Sequence, residues 1–277
     1  VTADYDYLRG LANVYRGGTD SSRWYAAEGQ YLDLRLQVYM GAERFRAVGS
    51  YAKGTSVVFS DPDYLVCFDQ ERYRHRKEIV QELLPMIEVR FPSYVAVDSG
   101  LKIELRSANF SVNIIPARVS DGAILMGSEQ DDLSCQFDDS FLECCGDLDS
   151  RQSEVLVVAS RVIRLWSMQL SMSLNSFLLE QELVECFYRN PNCSALEALS
   201  LTIQRVATAP LEYLDPWNGI NVDRIVIPCS HVLRWNGPQG IRNVDDSARF
   251  IKAAADAAER GDHFTSASHL TRLLGFC

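Results

Sequence analysis

The stretch Val48-Gly49-Ser50-Tyr51-Ala52-Lys53-Gly54-Thr55-Ser56-Val57-Val58-Phe59-Ser60-Asp61-Pro62-Asp63-Tyr64-Leu65-Val66 constrains the fold more than any other part of the chain. It sets a small-residue loop ahead of two aspartates, Asp61 and Asp63, which run into apolar Leu65-Val66-Cys67-Phe68. That apolar run reads as a buried strand. Side chains alternate along a strand, so Asp61 and Asp63 share a face. Adjacent carboxylates repel each other unless a hard cation lies between them, and Mg²⁺ carrying a triphosphate is the usual one. Gly49 and Gly54 allow the loop backbone to approach phosphate oxygens. The backbone N–H groups, Ser50, Lys53 and Thr55 are donors suited to an anion. Asp-x-Asp alone marks no more than a polar turn before a strand; the whole order of Gly-Ser, Lys-Gly-Thr, Ser-Asp-x-Asp and strand carries the signal.

With 277 residues, 47% of them apolar and 23% charged, the chain can bury a substantial core as one large domain or two lobes. The net charge of −10 argues against a protein whose main work is to wrap nucleic acid. The densest basic cluster, Arg72, Arg74, Arg76 and Lys77, reads as a solvated helix face. No apolar run approaches membrane-spanning length and no secretory leader is visible. The eight cysteines sit in a chain too core-rich to need a disulfide framework, which points to a reducing, cytoplasmic setting. Cys135 with Cys144-Cys145 is the one thiol cluster, and it lacks a neighbouring histidine for a zinc site. The four histidines, His75, His231, His263 and His269, show no metal-ligand spacing.

The Gly-Ser/Asp-x-Asp block resembles the signature of the polymerase-β-like nucleotidyltransferases. Gly-Ser-Tyr-Ala-Lys-Gly-Thr followed by Ser-Asp-Pro-Asp is most similar to the CD-NTase group, which contains bacterial cyclic-oligonucleotide synthases, cyclic GMP-AMP synthase and 2′-5′-oligoadenylate synthetase. Archaeal-type CCA-adding enzymes share a similar opening. The resemblance implies an α+β, two-lobed nucleotidyltransferase fold. A mixed-sheet catalytic lobe with N-terminal helices would occupy residues 1–150, and a helical C-terminal lobe residues 151–277.

Along the chain, apolar periodicity predicts helices over residues 4–17 and 20–40, the second capped by Asp20 or Ser21 and using its aromatics for packing. A helix over 70–90 and strands at 94–97, 101–105 and 110–115 follow, with turns at 98–100 and 107–109. Residues 118–150 read as an irregular polar connection with room for a short helix or strand. Helices are expected after Arg151, over 194–208, and over 244–260 and 263–274. Tyr213 to Val222 resembles a structural turn of the family.

In the 110–115 strand, Phe110, Val112 and Ile114 share one face while Ser111 and Asn113 share the other. The resembling family carries its third carboxylate here, three residues before Pro-Ala; the matching position ahead of Pro116-Ala117 is Asn113. Asparagine offers one neutral carbonyl oxygen and no base. The chain should therefore bind Mg²⁺-NTP through Asp61 and Asp63 but turn it over poorly. Asn113 is either an introduced change or a native one; the intact surrounding motif favours the first. Arg161-Val162-Ile163-Arg164-Leu165-Trp166 resembles a family segment whose lysine reaches the triphosphate, which puts Arg164 in that role. A helix-surface Arg in a salt bridge is the alternative. Ser176, in Asn175-Ser176-Phe177-Leu178-Leu179-Glu180, resembles a phosphate-contacting serine and also suits a helix N-cap.

The resemblance thus implies a cytoplasmic, Mg²⁺-dependent enzyme, with Mn²⁺ as a substitute ion. It would join NTPs, ATP or GTP or both, into a cyclic or linear second messenger of the kind used in antiviral defence. Asp61 and Asp63 would hold metal, and Gly49, Ser50, Lys53, Thr55, Arg164 and Ser176 the triphosphate. Nucleic acid is a partner the acidic charge does not favour. An RNA- or tRNA-directed nucleotidyltransferase and an inactive NTP-binding module are the rival readings.

Overall fold

A computed structural model of the chain describes residues 3–17, 23–58, 60–69, 71–98, 102–107, 111–120, 123–127, 134–136, 140–169, 176–208, 211–213, 225–227 and 237–274. The chain divides into two units. One comprises Gly17–Asp138 with Leu214–Asp223; the other comprises Val1–Arg16, Asp139–Tyr213 and Arg224–Cys277. The division differs from the expected 1–150 and 151–277: the first helix belongs with the helical unit, and that unit resumes at Asp139.

The first unit is built on a mixed sheet. Its strands are β1 (Ala42–Val48), β2 (Asp63–Asp69), β3 (Val95–Asp98), β4 (Ile103–Arg106), β5 (Ser111–Ser120), β6 (Ala123–Gly127) and β7 (Ser134–Gln136). The order runs β1-β2-β5-β4-β3, with β6 on β5 and β7 on β6. β2 and β5 are parallel, whereas β1 with β2, β3 with β4 and β4 with β5 are antiparallel. A parallel pair needs a long crossover, and residues 71–107 supply it with a helix, β3 and β4.

One face of this sheet carries Tyr64, Val66, Phe68, Ile103, Leu105, Val112 and Ile114, all buried in a single core. Two helical elements cover it. The first, α2, consists of a π-helical turn Tyr25–Gly29, an α-helical piece Gln30–Arg35 and a second π-helical turn Leu36–Met40. It contributes Leu32, Leu36 and Met40, preceded by Trp24. The ring of Tyr25 stacks on Tyr64 at 5.9 Å, and Phe45 does so at 5.3 Å. A four-residue turn, α3 (Gly49–Ala52), follows β1, and the second cover is α4 (Arg76–Arg90), which buries Ile79, Val80, Leu83 and Ile87. Each such side chain removed from water contributes about 1.5–3 kcal/mol. The opposite face carries a smaller apolar group of Val48, Leu65, Cys67, Ile115 and Ala117.

Several expectations change here. Trp24 and Tyr25 pack as expected, but Tyr31 and Tyr39 lie outward, with Arg35 donating to both hydroxyls at 2.9 and 2.5 Å. Arg76 is not on a solvated face: it is 3% exposed and pairs with Asp98 at 2.7 Å. β5 runs to Ser120 rather than ending at Ile115, and residues expected to be irregular form β6, β7 and the helix α5 (Ser140–Asp147). Residues 20–21, 99–100 and 108–110, to which the cap and both turns fall, lie outside the described residues.

The second unit is helical. It contains α1 (Ala3–Val14), α5, α6 (Ser150–Gln169), α7 (Ser176–Arg189), α8 (Ala195–Thr208), α9 (Gly237–Glu259) and α10 (His263–Leu273), with a two-stranded ladder of β8 (Leu211–Tyr213) and β9 (Ile225–Ile227). α6 buries Leu156, Val162, Ile163 and Trp166 on one side. α1 is tied to α10 by Asp4 with His263 at 2.7 Å and Tyr7 with Thr271 at 2.6 Å. Ser194 and Glu197 close a capping box at the start of α8. The family-like turn at 214–222 and His231 lie outside the described residues. Among the described residues no helix is long and apolar enough to cross a membrane.

Candidate active site

The pairing of strands brings the predicted residues together. Asp63 is in register with Asn113 across the parallel pair, and Asn113 with Glu104 across the antiparallel one. Directly paired residues project to the same face. Asp63, Asn113 and Glu104 therefore form one row across three strands, on the face opposite the main core. The Asn113 backbone N–H donates to Pro62 O at 2.9 Å, carrying the ladder back toward Asp61. Asp61 then lies beside Ser111, whose hydroxyl donates to its carboxylate.

Within the row, Asn113 Nδ2 donates to Asp63 Oδ1 at 2.7 Å. Asn113 is 3% exposed, and its Oδ1 is buried with no hydrogen-bond partner. An aspartate here would bring a second negative charge against Asp63; the amide brings a donor. Glu104 is held from both sides, with Lys102 Nζ 3.5 Å from Oε1 and Arg106 bonded to Oε2. Burial pushes the Glu104 carboxyl upward, but Arg106 and Lys102 outweigh it and leave it below the ordinary carboxylate value.

The loop between β1 and β2 is fixed against this row. Val48 is paired with Asp63, so the chain turns at Gly49 directly beside that carboxylate. Gly49 has φ +61°, and a Cβ there would lie 2.6 Å from Asp63 Oδ2. Both the backbone and the close approach require glycine. Lys53 N donates to Gly49 O and Thr55 N to Ser50 O at 3.1 and 2.8 Å. Tyr51 Oη donates to Ser60 O at 3.0 Å, which ties the loop to the segment before Asp61. Ser50 is 5% exposed and Thr55 wholly buried. Thr55 is thus shielded from solvent, and its backbone N–H is spent within the loop.

Arg164 and Ser176 belong to the helical unit. Arg164 lies on α6 and donates through Nε and Nη2 to Glu180 Oε1 of α7, at 3.1 and 2.8 Å. Glu180 is 2% exposed and also accepts from the Ser160 hydroxyl at 3.2 Å. Arg164 is therefore engaged in an ion pair with little exposure of either side chain, rather than on the helix surface. Ser176 is the first residue of α7. Two residues escaped the sequence reading. Glu180 stands in the sequence as the last residue of the Ser176 segment with no role of its own, and Glu104 is reached only through its pairing with Asn113.

The donor set fits one hard cation. Asp61 and Asp63 are oxygen donors on one face, and the buried Asn113 Oδ1 lacks a partner. Among the described residues no three His, Cys, Asp or Glu side chains converge as a metal-binding group. The set thus lacks the third carboxylate that a two-metal site requires.

No family model and no curated protein matches the sequence. Solved structures do match its fold. The Escherichia coli MS115-1 CdnC in complex with HORMA-deltaN superposes with a TM-score of 0.69 and 16% identity, covering 99% of this chain and 97% of that one. The Bradyrhizobium diazoefficiens CD-NTase CdnG in complex with GTP gives 0.63 and 13%, covering 97% of each chain. The Cid1 poly(U) polymerase bound to MgATP gives 0.59 and 12%, covering 90% of this chain and 94% of that one. At these identities the likeness establishes the fold: this chain has that of the polymerase-β-like nucleotidyltransferases, as the resemblance of its Gly-Ser/Asp-x-Asp block implied.

Proposed function

We propose that the chain is a Mg²⁺-dependent nucleotidyltransferase that joins NTPs into a cyclic or linear oligonucleotide second messenger, with turnover limited by Asn113. The observation that carries this reading is Asp61 and Asp63 on one face of the sheet, with Gly49 turning the chain directly beside Asp63, on a fold shared with CD-NTases. Asp61 and Asp63 hold the cation, which supplies charge neutralisation for the triphosphate. Gly49, Ser50 and Lys53 meet the phosphates, and Thr55 supports their loop. The resemblance also assigns Arg164, which is paired with Glu180, and Ser176 to the triphosphate. The GTP and MgATP named for the CdnG and Cid1 structures support NTPs as substrates. The net charge of −10 favours a small nucleotide acceptor over RNA. ATP, GTP or both are the candidate bases, and Mn²⁺ is the candidate substitute ion.

The Asn113–Asp63 hydrogen bond favours one second reading, a module that binds Mg²⁺-NTP and releases it unchanged. Titration calorimetry with a non-hydrolysable NTP analogue tests what both readings share. Binding should require Mg²⁺ and should be lost in Asp61→Asn and Asp63→Asn. Binding that is equal without the cation, or unchanged in both variants, contradicts both.

A further inference from the structure

We infer that Glu104, on the strand beside Asn113, takes the acceptor's proton in place of the missing third carboxylate, so that the chain with Asn113 keeps a slow activity. This inference rests on the nucleotidyltransferase reading above. Its basis is the sheet register. Asn113 is flanked in one row by Asp63 on one side and Glu104 on the other, and all three project to the same face. The row thus contains two carboxylates with a neutral amide between them. The amide nitrogen is turned to Asp63, and the amide oxygen is buried without a partner. Neighbouring strands lie roughly 4.8 Å apart, more than the one methylene by which glutamate exceeds aspartate, so the acceptor hydroxyl must lie toward β4 to meet this base.

The surroundings of Glu104 fit an anionic acceptor. Lys102 and Arg106 flank its carboxylate, and Arg106 is paired across the sheet with Ser111, the partner of Asp61. An acceptor nucleotide carrying its own phosphates meets positive charge beside the base. Drawing Arg106 onto those phosphates releases one Glu104 oxygen. In the step itself, the O–H bond of the acceptor ribose breaks and its proton passes to the Glu104 carboxylate. The oxygen forms a bond to the α-phosphorus of the NTP. The bond from that phosphorus to the bridging oxygen breaks, and pyrophosphate leaves with the electron pair.

The test is a double-mutant cycle on the full chain with NTPs and Mg²⁺, reading product by mass spectrometry. The native chain should form product slowly, and Glu104→Gln should lower that rate by about 100-fold, the scale of a lost general base. In an Asn113→Asp background a carboxylate stands in the usual place, so adding Glu104→Gln should leave the raised rate little changed; this also shows that the glutamine variant folds. Glu104→Asp, one methylene short, should fall between. A native rate unaffected by Glu104→Gln overturns the inference. So does a native chain with no product when Asn113→Asp is active, an outcome that leaves the nucleotidyltransferase reading standing. If Asn113→Asp is inactive as well, the nucleotidyltransferase reading fails and this inference goes with it.

Discussion

At Gly49 a single methyl group would collide with the Asp63 carboxylate, in a backbone conformation that L-residues avoid. Gly49→Ala should cost about 1–2 kcal/mol from the conformation alone, read as a lower urea midpoint, and should weaken Mg²⁺-dependent nucleotide binding as well. Asn113 sets the opposite constraint. Its amide donates to Asp63, so Asn113→Asp replaces an attraction by a repulsion between like charges. That variant should melt below the native chain without divalent cations and gain more on adding Mg²⁺; equal gains would argue against a cation at this row. Gly49, Asp61, Asp63 and Asn113 were legible in sequence because a fixed order of residue types marks them. Thr55 was assigned to phosphate from its donor chemistry, but its burial depends on how the loop folds over it. Glu104 carries no local signal, and it joins the site only through the pairing of β4 with β5.

At the scale of elements, the Arg164–Glu180 pair joins α6 to α7 with little exposure of either side chain. Removing one member strands the other charge in the interior. Arg164→Met should therefore cost about 3–5 kcal/mol, whereas Arg164→Met with Glu180→Gln should recover part of it. Urea unfolding of the three proteins measures this, and an Arg164→Met midpoint equal to the native one would contradict it. The helices of the second unit were legible because their apolar periodicity is long and regular. α2 was legible in extent but not in facing. Its two π-helical turns shift the side chains away from a 3.6-residue period, which leaves Tyr31 and Tyr39 outward. The far end of β5 and the strands after it were hidden because Pro116 interrupts the first, β6 is a short apolar run without alternation and β7 is only three residues long.

For the whole molecule, each unit has its own core, and each core buries a thiol. Burial pushes Cys67 up to about 11 and Cys193 up to about 12, from an ordinary value of 9.0. The folded chain thus holds both protons to higher pH than the unfolded chain does. Their contribution to stability is complete below pH 9 and is lost as pH rises toward 11 and 12. Urea midpoints should be flat from neutral pH to pH 9 and fall above it, and neither thiol should react with maleimide before unfolding. The placement of α1 with the helical unit was not legible, because it depends on contacts between distant parts of the chain such as Asp4 with His263. Both scales meet in the proposed reaction: on the fold shared with CdnC and CdnG, Asp61 and Asp63 fill two of the three acidic positions it would use. Incubating the native chain and Asn113→Asp with all four NTPs and Mg²⁺, and identifying products by mass spectrometry, tests it most directly. Asn113→Asp should yield oligonucleotides and pyrophosphate at about 100-fold or more the rate of the chain with Asn113. No product from Asn113→Asp, or equal rates from the two proteins, would contradict it.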